Sequence, residues 1–168
     1  MKDNFQRAWS LTQDAYARSR INSERTLQAL LYSSLSSLLE PADIVICEPS
    51  IVLQNKGQYI PDMLVIRGDE VIAAVELKFV PHHYPHFRDD LEKLKTYAHS
   101  RDHFHLLLDP NTGCFTDRQF NFAPDCLLVF GVVGQHDSEA AHEQTLLDLM
   151  REYKNRFIPL VLQVGIQR

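Results

Sequence analysis

Residues 59–79 read YIPDMLVIRGDEVIAAVELKF. Two apolar, strand-forming arms flank the turn signal RGDE, the pattern of a β-hairpin. Three ionisable groups, Asp62, Glu76 and Lys78, stand in those arms. Buried charge is costly unless it is paired, so each needs a reason to be there. Side chains alternate along a strand, which puts Glu76 and Lys78 on one face. Cross-strand partners in a hairpin have a constant sum of residue numbers. A loop made of Gly68, Asp69 and Glu70 therefore sets Asp62 directly opposite Glu76, and a shorter loop shifts the pair by one position. In the first register two carboxylates reach one cation, with a lysine just beyond. Without a cation the two acids repel and one pKa rises. A divalent metal resolves the conflict, and oxygen ligands favour Mg²⁺, Mn²⁺ or Ca²⁺ over zinc.

Outward from the hairpin the chain alternates helical and strand patterns. Phe5, Ala8, Trp9, Ala15 and Tyr16 predict an amphipathic helix over 3–19. A second helix starts near Asn22 or Ser23, both good N-caps, and stops before Pro41; its stripe is Leu27, Leu30, Leu31, Leu35 and Leu38. Glu24 shares the inward face of that helix. Residues 43–53, DIVICEPSIVL, read as a strand interrupted by Pro49. After the hairpin, residues 85–100 predict a helix with Phe87, Leu91, Leu94 and Ala98 on its apolar side. Strands follow at 103–109 and 126–133, the second apolar enough to be central. A helix over 138–156, capped near Asp137 or Ser138, and a strand over 158–166 close the chain. The order is ααβββαββαβ, an α/β sandwich around a mixed sheet.

The 168 residues fit one domain with a core of its own. The N-terminal MKDNFQRAWSLTQDAY lacks an apolar run of signal-peptide type, and no segment is long enough to span a bilayer. Cys47, Cys114 and Cys126 are odd in number and lack CxxC spacing, so free, mostly buried thiols in a cytoplasmic protein are expected. A formal charge of −5, from 17 basic and 22 acidic residues, argues against a basic coat for nucleic acid. It leaves room for a local basic groove, or for positive charge supplied by metal.

Pro61-Asp62, with Glu76-Leu77-Lys78 starting fourteen positions after the aspartate, resembles the PD-(D/E)XK nuclease superfamily, the restriction-endonuclease-like fold. A helix carrying Glu24 ahead of three strands, then a helix and a strand, is similar to the αβββαβ core of that fold over about residues 22–110, with a strand-helix-strand extension after it. The resemblance implies that Asp62 and Glu76 hold Mg²⁺ or Mn²⁺ with the Leu77 backbone carbonyl, and that Glu24 completes the site. It implies that Lys78 orients or helps deprotonate the attacking water and steadies the phosphate charge. Glu48 is a further candidate whose direction Pro49 leaves open. Asp90, Lys93 and Tyr97 share a face of the following helix, which resembles the helix after the ExK strand in many of these nucleases.

Each feature also has a plainer explanation. Asp62 could follow Pro61 into a turn, and Glu76 with Lys78 could line a solvated face, although VIAAVEL does not alternate as a wet strand does. Glu24 could serve the helix dipole. Arg88, Lys93 and Lys95 read by default as a solvated face, and Arg151–Arg156 as a basic helix end. Of the eight histidines, those at 82–86 and 99–105 cluster without HExxH or CxxC partners, so zinc ligation is poorly supported. His82, His83 and His86 could touch phosphate beside Lys78, or be surface histidines.

The expected function is a divalent-metal-dependent nuclease, endo- or exo-acting, on DNA ahead of RNA. The alternative is a non-catalytic nucleic-acid-binding or assembly subunit on the same fold. Expected partners are nucleic acid and either a second copy, paired through FIPLVLQVGI, or a protein that delivers substrate, with no membrane involved.

Overall fold

The computed structural model describes residues 1–53, 57–82, 87–100, 102–106, 109, 112, 116–135 and 140–164, without the side chains of 135, 140–145 and 163–164. Four helices flank a mixed, mostly antiparallel open sheet of eight strands. In chain order these are α1 (Lys2–Ala17), α2 (Glu24–Leu38), β1 (Asp43–Cys47), β2 (Ile51–Leu53), β3 (Gly57–Tyr59), β4 (Met63–Arg67), β5 (Glu70–Val80), α3 (Arg88–His99), β6 (Phe104–Leu106), β7 (Gln119–Gln135), α4 (Ala140–Glu152) and β8 (Phe157–Val164). None of the described helices is long and apolar enough to cross a membrane.

The strand order is β1-β4-β5-β7-β6-β2-β3, with β8 also on β7. β7 is the spine. Its first residues pair with β6, and its later ones lie between β5 and β8, parallel to both. The expected strand over 43–53 is two strands. The backbone at Glu48 takes the left-handed conformation (φ 49°), Pro49 follows, and the chain leaves β4 for the far end of the sheet. The segment 59–66 is likewise divided at Pro61, with β3 before it and β4 after. Strand β7 starts well before residue 126: Phe120 and Phe122 are buried, and three extra residues around Pro124 bulge out between the pairs Val71–Phe122 and Ala73–Leu127. Pro159 sits in β8, which pairs only with β7 among the described residues, an edge where a missing N–H is tolerated. Asp137 and Ser138 lie outside the described residues.

The alternating face of β4 and β5 separates two cores. Met63, Val65, Ala73, Val75 and Leu77 pack under α1 and α2, against Phe5, Trp9, Leu27, Leu31 and Leu35. Leu64, Ile66 and Ala74 face Leu91, Leu94, Tyr97 and Ala98 of α3, with Leu149 and Tyr153 beside them. Ser23 caps α2, its Oγ accepting from the Thr26 amide at 3.2 Å. Gly131 of β7 lies under Leu77 and Trp9 so closely that a Cβ there would stand 2.7 Å from Leu77 Cδ2 and 3.2 Å from Trp9 Cζ3. That contact seats the middle of the ELK segment of β5.

Candidate active site

The turn between β4 and β5 is shorter than the three-residue loop the sequence suggested. Arg67 pairs with Glu70 around Gly68 and Asp69, with positive φ (61°) at Gly68 alone, as a type II′ turn requires. A bulge at Ile72 then adds one residue to β5. From Val65–Ala73 to Met63–Val75 the pairs sum to the register in which Asp62 faces Glu76. Of the two loop lengths the sequence allows, the chain takes the shorter, and the bulge cancels the one-residue shift; the ladder itself stops at Met63, one position before Asp62.

β4 ends at Met63 while β5 runs on to Val80. Past that point two carboxylates take over from β4. Asp62 Oδ2 accepts from the Leu77 amide at 2.5 Å, and Glu24 Oε2 accepts from the Phe79 amide at 3.2 Å. A residue's N–H and C=O point to the same edge of a strand, so the Leu77 carbonyl also faces this side. Asp62 is itself held by its carbonyl, which accepts from Gln28 Nε2 at 2.8 Å and from the Glu48 amide at 2.9 Å. Glu24 is exposed at the start of α2, not on the helix's inward face as the pattern suggested, yet its carboxylate bends over the sheet edge. Glu48 meets the site through its backbone.

Glu76 is fully buried. Tyr97 donates its hydroxyl to Oε1 at 3.1 Å, and Lys93 Nζ lies 3.0 Å from Oε2. Tyr97 is fixed by stacking on Phe122, with centroids 5.4 Å apart, and by an edge contact with Tyr59 at 6.0 Å. Asp90 joins the two lysines: Oδ1 is 3.3 Å from Lys93 Nζ and Oδ2 is 3.4 Å from Lys78 Nζ. Lys93 therefore does not belong to a solvated face. The period of α3 turns Asp90, Lys93 and Tyr97 onto β5, while Lys95 is half-buried and pairs with Glu92 one turn back on the helix. The shared face was legible in the sequence, but the Lys93–Glu76 pair was not, because nothing local distinguishes Lys93 from Lys95.

The electrostatics follow from burial. Desolvation, then the charge of Asp62, pushes Glu76 up to about 8, against the pull of Lys93. Asp62 is raised to about 6 by burial and by Glu24, in spite of the Leu77 amide. Burial disfavours the Lys93 ammonium, but Glu76 and Asp90 more than compensate, so its pKa is raised. Burial and the nearby Glu76 hold the Tyr97 phenol far above its ordinary value.

Among the described residues no three His, Cys, Asp or Glu side chains form a group that could hold a metal ion. Asp62 and Glu76 lie near enough for the charge of Asp62 to raise Glu76, and Glu24 follows one step along β5. A pair suits Mg²⁺ or Mn²⁺, which are often held by one or two carboxylates and complete their shell with water and phosphate. Ca²⁺, which takes more protein oxygens, is less well served. A buried carboxyl raised by its neighbour's charge is the kind of donor a cation relieves, so the residues fit the group.

His82 lines a groove with Tyr16, Asn22 and Phe79 beyond Glu24; His83 and His86 lie outside the described residues. Cys47 is a free, exposed thiol, whereas Cys126 is buried, and burial raises its pKa to about 12; Cys114 lies outside the described residues. Arg156 lies over the Tyr153 ring at 4.9 Å and donates to the Pro124 carbonyl at 3.2 Å, so that end of the basic stretch has a packing role. No protein-family model, no curated protein and no solved structure matches the chain.

Proposed function

We propose that this chain is a divalent-metal-dependent nuclease that hydrolyses phosphodiester bonds, in DNA ahead of RNA, on a core of the PD-(D/E)XK, restriction-endonuclease-like kind. The observation that carries this reading is the meeting of Asp62 and buried Glu76 at the end of one hairpin, with Lys78 tethered beside them through Asp90. In this reading Asp62, Glu76, the Leu77 carbonyl and, from the rim, Glu24 hold Mg²⁺ or Mn²⁺. When bound, such an ion supplies Lewis acidity and a lowered water pKa. Asp62 and Glu76 fix where the phosphate sits. Lys78, partly exposed on the Glu76 face, offers an ammonium to the phosphate oxygens and a proton-transfer group to the attacking water. The Asp90 carboxylate keeps that ammonium from straying into solvent. Duplex cleavage calls for two such sites, and the outer edge of β8 offers strand pairing to a second copy.

Nicking of supercoiled plasmid in Mg²⁺ or Mn²⁺ tests the reading. Wild type should nick, and Asp62→Asn and Glu76→Gln should not. A second reading has its own support: both Glu76 oxygens already have partners within the chain. On that reading the charges form a structural network in a nucleic-acid-binding or assembly subunit, and plasmid and single-stranded RNA both stay intact.

A further inference from the structure

Glu76 has no exposed surface, and its two oxygens are held differently. Oε1 receives the hydroxyl of Tyr97, a ring locked between Phe122 and Tyr59. Oε2 receives the ammonium of Lys93, whose side chain is 34% exposed. The route from solvent to Glu76 on the α3 face thus passes the lysine. A divalent ion and an ammonium cannot both sit against one carboxylate oxygen in a poorly solvated site without strong repulsion. Lys93 also has somewhere to go. Asp90, three residues earlier on α3, already lies 3.3 Å from it through Oδ1, while Asp90's other oxygen serves Lys78. Each ammonium has its own oxygen on Asp90, so Lys93 can leave Glu76 without displacing Lys78.

We infer that Lys93 is the resident counter-cation of the metal site: its ammonium stands beside Glu76 where a divalent ion binds, and metal entry moves it off Glu76 onto Asp90. The inference rests on the metal-site reading above and adds a positioning residue that competes with the metal, distinct from Lys78, which serves the substrate. Where Glu76 is ionised, Lys93 keeps it paired, at the expense of metal affinity.

Calorimetry with Mn²⁺ alone, at one fixed pH, on wild type, Lys93→Gln and Lys93→Arg tests it. Glutamine keeps a donor for Glu76 and Asp90 but removes the competing charge, so Mn²⁺ should bind roughly tenfold tighter or better, the loss of one charge-assisted competitor. Arginine keeps the charge and should bind Mn²⁺ no more tightly than wild type. Unchanged or weaker binding by Lys93→Gln, or no Mn²⁺ binding by any of the three, overturns the inference. If Lys93→Gln does not fold metal-free, circular dichroism should show Mn²⁺ restoring the fold below the wild-type Kd; failure to refold, or refolding only above that Kd, also overturns it. Plasmid nicking by wild type is scored separately. Nicking without tighter binding in Lys93→Gln removes the counter-cation alone, and tighter binding without nicking removes the nuclease alone.

Discussion

The Leu77 amide donates to Asp62 Oδ2 across 2.5 Å, so Asp62 does for Leu77 what β4 does for the residues before it. This separates two effects of Asp62 that its charge alone would merge. Asp62→Ala removes the repulsion with Glu76 but leaves a partly buried N–H without a partner. Asp62→Asn removes the charge and keeps the acceptor. The asparagine variant should be more stable than the alanine variant by about 1–3 kcal/mol in chelator, read from urea midpoints with unchanged slope. Equal midpoints would mean that the Leu77 bond carries no weight.

Glu76 sets a pH dependence whose sign is opposite to that of an ordinary salt-bridged acid. A carboxyl raised to about 8 in the folded chain binds its proton more tightly there than in the unfolded chain. Its contribution is complete below the unfolded carboxylate range and is lost as pH rises toward 8. Asp62, raised to about 6, adds loss in the same direction over the lower part of that window. Metal-free wild type should therefore lose stability relative to Glu76→Gln as pH rises from about 5 to 8. Glutamine is accommodated because its oxygen can accept from Lys93 while the Tyr97 hydroxyl turns from donor to acceptor. Thermal melts in chelator should place Glu76→Gln about 5 °C or more above wild type at the alkaline end. A constant difference across the range would contradict the raised pKa.

The hairpin shows how far the sequence could be followed. Turn residues and apolar arms located β4 and β5, and the facing of Asp62 and Glu76 came from arithmetic on residue numbers. That arithmetic assumed a three-residue loop. The chain reaches the same register through a two-residue turn and a bulge at Ile72, for which an Ile among other apolar residues gives no local signal. Pro49 signalled a break, but not that β2 would cross to the far end of the sheet, since pairing between distant strands is decided by global packing. Tyr97 and Lys93 were visible as a helix face. Their meeting with Glu76 depends on how α3 docks on β5, which rests on buried contacts of Leu91, Leu94 and Ala98 rather than on any charge pattern.

Gly131 ties the core to the site. Its Cα lies under Leu77, between Glu76 and Lys78 in sequence, and a methyl group there would stand 2.7 Å from Leu77 Cδ2. Leu77 is pressed from the other side by the buried α1–α2 core, so it has little room to yield. Gly131→Ala should cost about 1–3 kcal/mol through overpacking. Shifting Leu77 also shifts its amide, so the variant should weaken Mn²⁺ binding along with stability. A neutral variant by urea unfolding would show that Leu77 can repack freely.

Lys78 provides the sharpest test of catalysis. Its ammonium is held 3.4 Å from Asp90 on the face that carries Glu76, and it is not bonded to Glu76 itself. Removing it should leave both the carboxylate pair and the Lys93 contact in place, so Lys78→Ala should fold and bind Mn²⁺ as wild type does. In the proposed mechanism its charge acts chiefly where negative charge builds up on the phosphate, so the cleavage rate should fall more than substrate affinity. Loss of one such group costs about 10²-fold or more in rate. Lys78→Arg should recover little of it, because a guanidinium keeps the charge but cannot give up a proton at working pH. Lys93→Gln provides the contrast: it should change metal affinity first, whereas Lys78→Ala should change rate first. Plasmid nicking at saturating Mn²⁺, with circular dichroism to confirm the fold, separates the two lysines. A folded Lys78→Ala variant that nicks at the wild-type rate would assign the proton-transfer role elsewhere and deprive the hairpin site of its chemistry.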